Sequence, residues 1–136
     1  MLHYIVISII SGILFGVLDG VIHANPAAQR LYEVYKPITK TAINPLTGIL
    51  IDLAYGFIMA AIFLFLYPSL PGESGSMKGM VFGLLVWFFR VVMSAASTGM
   101  MFNVPIQTIT YDLVTGLGEM LLLGLLYGLT LRSQGL

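Results

Sequence analysis

Four uninterrupted apolar stretches, residues 4–24, 45–67, 79–101 and 106–131, constrain this chain more than any other feature. Each meets the roughly 20 residues that a helix needs to cross the hydrocarbon of a bilayer. In that medium an unpaired backbone N–H or C=O costs several kcal/mol, so only helices and closed barrels cross it. Barrel strands alternate apolar and polar residues over about ten positions, whereas these runs are longer and continuous. The expected fold class is therefore all-α: a polytopic membrane four-helix bundle, with residues 1–136 forming one transmembrane domain. Composition agrees, because 58% of the 136 residues are hydrophobic and only 9% charged, too little polar surface to cover a water-soluble domain. An integral, multi-pass membrane location follows.

The first stretch lacks a positively charged n-region and carries Asp19 near its end, so it reads as a span of the mature protein and not as a signal peptide. No cysteine is present, which removes disulfides, thiolate metal sites and thiol nucleophiles. The formal net charge is zero, and nothing points to nucleic acid as a partner.

Two of the spans spell the same segment twice. Residues 45–67 (PLTGILIDLAYGFIMAAIFLFLY) and 105–127 (PIQTITYDLVTGLGEMLLLGLLY) align without a gap at an offset of 60. The identities are Pro45/Pro105, Ile49/Ile109, Asp52/Asp112, Leu53/Leu113, Gly56/Gly116, Leu66/Leu126 and Tyr67/Tyr127. A weaker match relates the first span to the third at an offset of 71, through Gly12/Gly83, Leu14/Leu85, Val21/Val92 and Ala24/Ala95, with Asp19 against Arg90. The economical expectation is two tandem helical hairpins, the first with an elaborated loop, related by an axis along the membrane normal. Chance matching of apolar helices is the competing explanation.

Along the chain, Gly12, Gly16 and Gly20 make a small-residue stripe suited to close helix packing. Gly56 and Gly116, the glycines shared by the duplicated segments, are expected to serve the same purpose, and Gly124 and Gly128 continue the second stripe. Asp19 and His23 stand one turn apart and can meet side chain to side chain. Asn25-Pro26 pairs an N-cap with a proline at the first helical position. It opens a short interfacial amphipathic helix over residues 26–36, with Tyr32 and Tyr35 at headgroup level and Lys36-Pro37 as its stop. Asn44-Pro45 repeats the cap signal at the second span. The third span places Trp87, Arg90, Ser94, Ser97 and Thr98 on or near one face, and the fourth carries Thr108, Asp112, Thr115 and Glu119 on one stripe.

Asp19, Asp52, Arg90, Asp112 and Glu119 thus all fall inside spans, where a charge costs about 2.5–3.5 kcal/mol even on an insertion scale. Counting helical rise from the first loop, Asp19, Asp52 and Asp112 lie about 8–11 Å deep, Arg90 roughly 13–19 Å and Glu119 near 20 Å. Four acids and one base cannot all remain ionised there, so protons are shared or a cation is bound. One expectation is a polar chamber in which Asp19, Asp52 and Asp112, with His23, Tyr111, Ser94 and Thr115 as secondary groups, take a proton or hard cation while Arg90 moves between acidic partners. The other is an ion-pair and hydrogen-bond network that fixes helix register. No cofactor or dedicated metal site is expected: the eight methionines are scattered gap-fillers, and His23 alone is no ligand set. Without H-E-x-x-H, G-x-S-x-G, a P-loop or a dinucleotide fingerprint, an enzyme is not expected. Loop charges tilt the positive-inside rule towards a cytoplasmic first loop, through Arg30, Lys36 and Lys40 against Lys78 and Arg132.

The second half, with FGLLVW at residues 82–87, a proline at 105, D-L-x-x-G at 112–116 and GLLYG at 124–128, resembles small four-helix prokaryotic integral membrane protein families of unknown function. That resemblance implies a fold and a prokaryotic cell membrane, and no activity. Three functions fit: an accessory or structural subunit of a membrane assembly, contacting lipid and other subunits or itself; a proton- or cation-coupled transporter or channel using the carboxylate layer; or a binder of lipid or another hydrophobic ligand along the aromatic face of the third span.

Overall fold

In a computed structural model, which describes residues 2–38 and 45–131, every regular element is helical. Helix α1 spans Leu2–Ala24, and α2 (Pro26–Leu31) runs on into a 3-10 helix, Tyr32–Ile38. Helix α3 (Pro45–Leu66) ends in a 3-10 turn, Tyr67–Ser69; α4 (Gly75–Trp87), a π-helical turn (Phe88–Val92) and α5 (Met93–Met101) make one rod; α6 covers Ile106–Thr130. The four stretches Leu2–Ala24, Pro45–Ser69, Gly75–Met101 and Ile106–Thr130 are long and apolar enough to cross a membrane. The Asn44 cap and the loop charges Lys40 and Arg132 lie outside the described residues.

Boundaries follow local chemistry. The Asn25 side-chain amide donates to the Val21 and Ile22 carbonyls at 2.9 and 3.0 Å, closing the end of α1, while its Oδ1 accepts from the Ala28 N–H at 2.8 Å and opens α2. The helix expected over residues 26–36 changes pitch after Leu31, whose carbonyl accepts the Thr108 hydroxyl at 2.7 Å. Pro37 brings no N–H to bond Glu33 in α geometry, yet the tighter 3-10 turn accommodates it and runs on to Ile38. The third span starts at Gly75, four residues before the apolar run itself, because the Ser74 hydroxyl caps it by accepting from the Met77 N–H at 3.2 Å.

Helix α1 packs on α3, α4 packs on α6, and α1 also touches α6. Glycines set both close approaches. A Cβ at Gly56 would sit 2.7 Å from the Gly12 nitrogen, and one at Gly12 would sit 2.9 Å from the Leu53 Cα. On the other side Gly79 abuts the Gly124 carbonyl and Gly128 the Gly75 carbonyl, so any side chain there would overlap backbone. In lipid, where apolar burial drives nothing, such backbone proximity gives the dispersion contacts that hold helices together. Gly16 faces Asp52 and Gly116 faces Val91, whereas a Cβ at Gly20 would meet nothing within 4 Å.

The duplicated segments share a buried face. The four buried residues of α3, Gly56, Met59, Ala60 and Phe63, correspond at the offset of 60 to buried Gly116, Glu119, Met120 and Leu123. Helix pairing is not equivalent, however. Gly12 lies against Leu53, whereas its counterpart Gly83 lies against Met120 and Leu121, where equivalence would require Leu113. The second pair is thus shifted by two turns, about 12 Å of rise.

At the end away from α2 the core is tight. Phe63 meets Phe82 at 5.3 Å and Tyr127 at 5.8 Å between ring centroids. The Tyr127 hydroxyl reaches Ser11 Oγ at 2.9 Å and the Gly56 carbonyl at 3.1 Å, tying α6 to α1 and α3.

Candidate functional site

The other end is open. Beyond the π turn α5 touches α6 only sparsely, although α4 follows it closely. A cavity of about 330 Å³ fills the gap between α1, α5 and α6. Asp19 and His23 line it from α1, Arg90 and Val91 from the π turn, Ser94 and Thr98 from α5, and Asp112, Thr115 and Glu119 from α6. In the π turn the Met93 N–H reaches back five residues to the Phe88 carbonyl. The widened turn is centred on Arg90, and the Trp87 indole just before it donates to the Leu113 carbonyl of α6 at 2.9 Å. Such bulges recur at functional positions in helices.

The α6 stripe bonds to a different element at nearly every step. Thr108 holds Leu31, as above. The Tyr32 hydroxyl, on the 3-10 helix, donates to Asp112 Oδ1. Burial, reinforced by that bond to a carboxylate, holds the Tyr32 phenol well above its ordinary value, so it stays a donor. Tyr35 is raised in the same sense, by burial first and Asp112 second. His23 stacks on Tyr32 with centroids 5.0 Å apart, and Tyr111 meets Tyr32 edge-on at 5.9 Å. The aromatic segment after α2 thus contacts two residues of the cavity lining, His23 and Asp112.

Deeper in, Arg90 Nη1 donates to Glu119 Oε1 at 3.2 Å. Glu119 is 4% exposed, and its Oε2 is buried without a hydrogen-bond donor. The Asp19 carboxyl of α1 lines the same cavity. Arg90 also lies over the rings of Phe15 at 5.0 Å and Tyr55 at 5.7 Å, which stack on each other. One guanidinium thus meets α1, α3 and α6, combining an ion pair with cation–π contacts.

Asp19, Arg90, Asp112 and Glu119 come together around the cavity, with His23, Ser94 and Thr115 on its wall. Asp52 does not line it. That carboxylate occupies a separate groove of about 480 Å³ between α1 and α3, among Gly16, Gly48, Pro45 and aliphatic side chains. A count of helical rise places a residue along its helix and says nothing about azimuth. The His23 ring bonds the main-chain carbonyl of Asp19, Nδ1 to O 2.9 Å, and not the carboxylate with which a side-chain contact was expected. Tyr111 anchors α1 instead of facing the cavity: its hydroxyl donates to the Ile22 carbonyl and accepts from Asn25 Nδ2 at 3.0 Å. The Thr115 hydroxyl donates to the Tyr111 carbonyl at 2.7 Å. Among the described residues no three His, Cys, Asp or Glu side chains gather closely enough to hold a metal ion.

Sequence reasoning missed Phe15 and Tyr55 as the aromatic bracket of Arg90, Tyr32 as the donor to Asp112, and the π turn. Aromatic residues in an apolar run carry no signal of what they stack on. Tyr32 falls in a short segment whose partner is 80 positions away.

Comparison of the chain with protein-family models, with curated proteins and with solved structures found no match.

Proposed function

We propose that this is a small proton-coupled transporter or channel whose site is the cavity between α1, α5 and α6. The observation that carries the reading is the Glu119 carboxyl, which gives one oxygen to Arg90, keeps the other buried without a donor, and lines the same cavity as the Asp19 carboxyl. Two ionised carboxylates offer each other only acceptors, and in low dielectric they repel. One proton held between Asp19 and Glu119 supplies the missing donor and removes the repulsion, and that proton belongs to the pair. A proton-sharing acid pair on the wall of a cavity large enough for water is what proton handling requires. Asp112, fixed by Tyr32 on the same cavity wall, is the next acceptor.

A second reading rests on Asp52. A half-buried carboxylate in an otherwise apolar groove is costly in lipid, which supports a partner helix there and hence an accessory or structural subunit in a homo- or hetero-oligomer. The tandem-hairpin duplication, the interfacial seat of α2, a prokaryotic cell membrane and the lack of catalysis of its own belong to the same proposal.

The test is proton flux. Purified protein reconstituted in vesicles under a pH gradient and read by an internal dye should dissipate the gradient, and Glu119→Gln should abolish this while the protein still inserts. Full flux in Glu119→Gln would sink the transport reading.

A further inference from the structure

We infer that the cavity takes a small primary ammonium compound, and that this cation and the proton compete for the Asp19–Glu119 carboxyl pair. The inference rests on the transport reading of the same cavity and adds the class of solute.

Charge comes first. Three carboxyls, Asp19, Asp112 and Glu119, face one guanidinium, Arg90. With one proton in the acid pair, and with His23 counted as neutral, the cavity carries one uncompensated negative charge, opposite in sign to a monovalent cation. When an ammonium enters and the proton leaves to water, the net charge is unchanged. No covalent bond is made or broken, and exchange of the two cations leaves the electrostatics of the bundle as they were.

Hydrogen bonding comes second. Arg90 is committed to Glu119 Oε1 and Tyr32 to one oxygen of Asp112. The acceptors in excess are Glu119 Oε2, to which no protein group donates, and the oxygens of Asp19 and Asp112 outside these bonds, on the same cavity lining. A primary ammonium brings three donors and no acceptor, and so complements a wall rich in acceptors.

Size is the third point. A volume of about 330 Å³ is on the order of ten times a water molecule's share of the liquid, more than a bare metal ion fills. No metal-ligating trio gathers among the described residues. Ile22, Val91 and Ala95 give the cavity an apolar strip for a short aliphatic tail.

The titratable and charged groups that share the cavity with Glu119 are Asp19 and His23 from α1, Arg90 from the π turn and Asp112 on α6 itself, while Asp52 of α3 lines a separate groove.

The experiment is isothermal titration of the full-length protein in detergent with butylammonium, tetramethylammonium, sodium and magnesium ions. Butylammonium should bind saturably, with an apparent Kd that falls as the pH rises, by up to about tenfold per pH unit, the limit for exchange of one proton. Tetramethylammonium, a cation without N–H donors, and the two metal ions should bind far more weakly. Asp112→Asn should weaken butylammonium by about tenfold or more, the effect of losing a hydrogen bond to a charged group, with the buried pair left in place. Glu119→Gln should flatten the pH dependence. Equal binding of tetramethylammonium, binding unaltered by both substitutions, or affinity independent of pH in the unaltered protein would overturn the inference. The two proposals separate cleanly: a proton flux in vesicles that butylammonium neither drives nor inhibits retains transport and removes this solute class. Pronounced, pH-linked amine binding without flux retains the site and removes transport.

Discussion

Replacing Glu119 by methionine, the residue that the first copy of the duplicated segment carries at the equivalent buried position 59, separates a structural ion pair from a functional one. Removing one partner of a buried pair costs about 3–5 kcal/mol. Glu119 is 3% exposed at its side chain and Arg90 35%, so the stranded guanidinium of Glu119→Met can be partly resolvated. The cost therefore falls at the lower end, about 3 kcal/mol. Arg90→Met strands the acid instead, and because a carboxyl can take up a proton the loss is smaller. The double variant, with two methionines against Phe15 and Tyr55, removes the desolvation of both charges and should be as stable as the unaltered protein or more so, by about 1–4 kcal/mol. Unfolding in mixed micelles with increasing denaturing detergent gives the three values. A coupling free energy within about 0.5 kcal/mol of zero, the range of independent sites, would refute the packing argument for the pair. The same double variant, folded but lacking Glu119, should move no protons in vesicles. If it carries flux, the pair is a register device.

Three further outcomes follow from the geometry. Gly124→Ala places a Cβ into the Gly79 carbonyl and should destabilise the bundle by about 1–3 kcal/mol as an overpacking change; Gly118→Ala, with open space around its Cβ, should be neutral or slightly stabilising in the same detergent titration. Asn25→Ala removes the cap of α2 and the closure of α1 together and should cost about 0.5–2 kcal/mol, with faster proteolysis of the segment after α2 as the readout. Tyr32 has a folded value above the unfolded one, through burial first and its bond to Asp112 second, so the contribution of that environment to stability is present in full below about pH 10 and is lost as the pH rises through the folded value. The ultraviolet phenolate difference between the unaltered protein and Tyr32→Phe should accordingly appear only at more alkaline pH than free tyrosine; ionisation near the ordinary value would show that the phenol is neither buried nor bonded to Asp112.

Much of the fold was legible because a bilayer admits so few solutions. Four apolar runs gave four helices long and apolar enough to cross a membrane, and Asn25-Pro26 marked a helix start by a mechanism that the capping bond from the Ala28 N–H bears out. The charged residues were equally visible, since an acid in an apolar run has no cheap explanation. Their grouping was not. Asp52 and Asp112 occupy identical positions in the duplicated segments, yet one faces an outer groove and the other the cavity, because the second helix pair is shifted by two turns against the first. That shift is set by where Gly79 and Gly83 meet α6, a contact between residues some 40 positions apart in sequence that no local pattern encodes. The π turn is hidden for a related reason: Phe88, Phe89, Arg90, Val91 and Val92 would fit an α-helix, and the packing around Arg90 selects the wider turn.

The most direct test of the shared proton is infrared spectroscopy of the purified protein with isotope-labelled glutamate and aspartate. The account predicts a protonated carboxyl band near neutral pH that shifts with the label, disappears in the Asp19→Asn, Glu119→Gln double variant, and diminishes when butylammonium is added. A spectrum with every intramembrane carboxyl ionised, or a protonated band that survives loss of both residues, would contradict it.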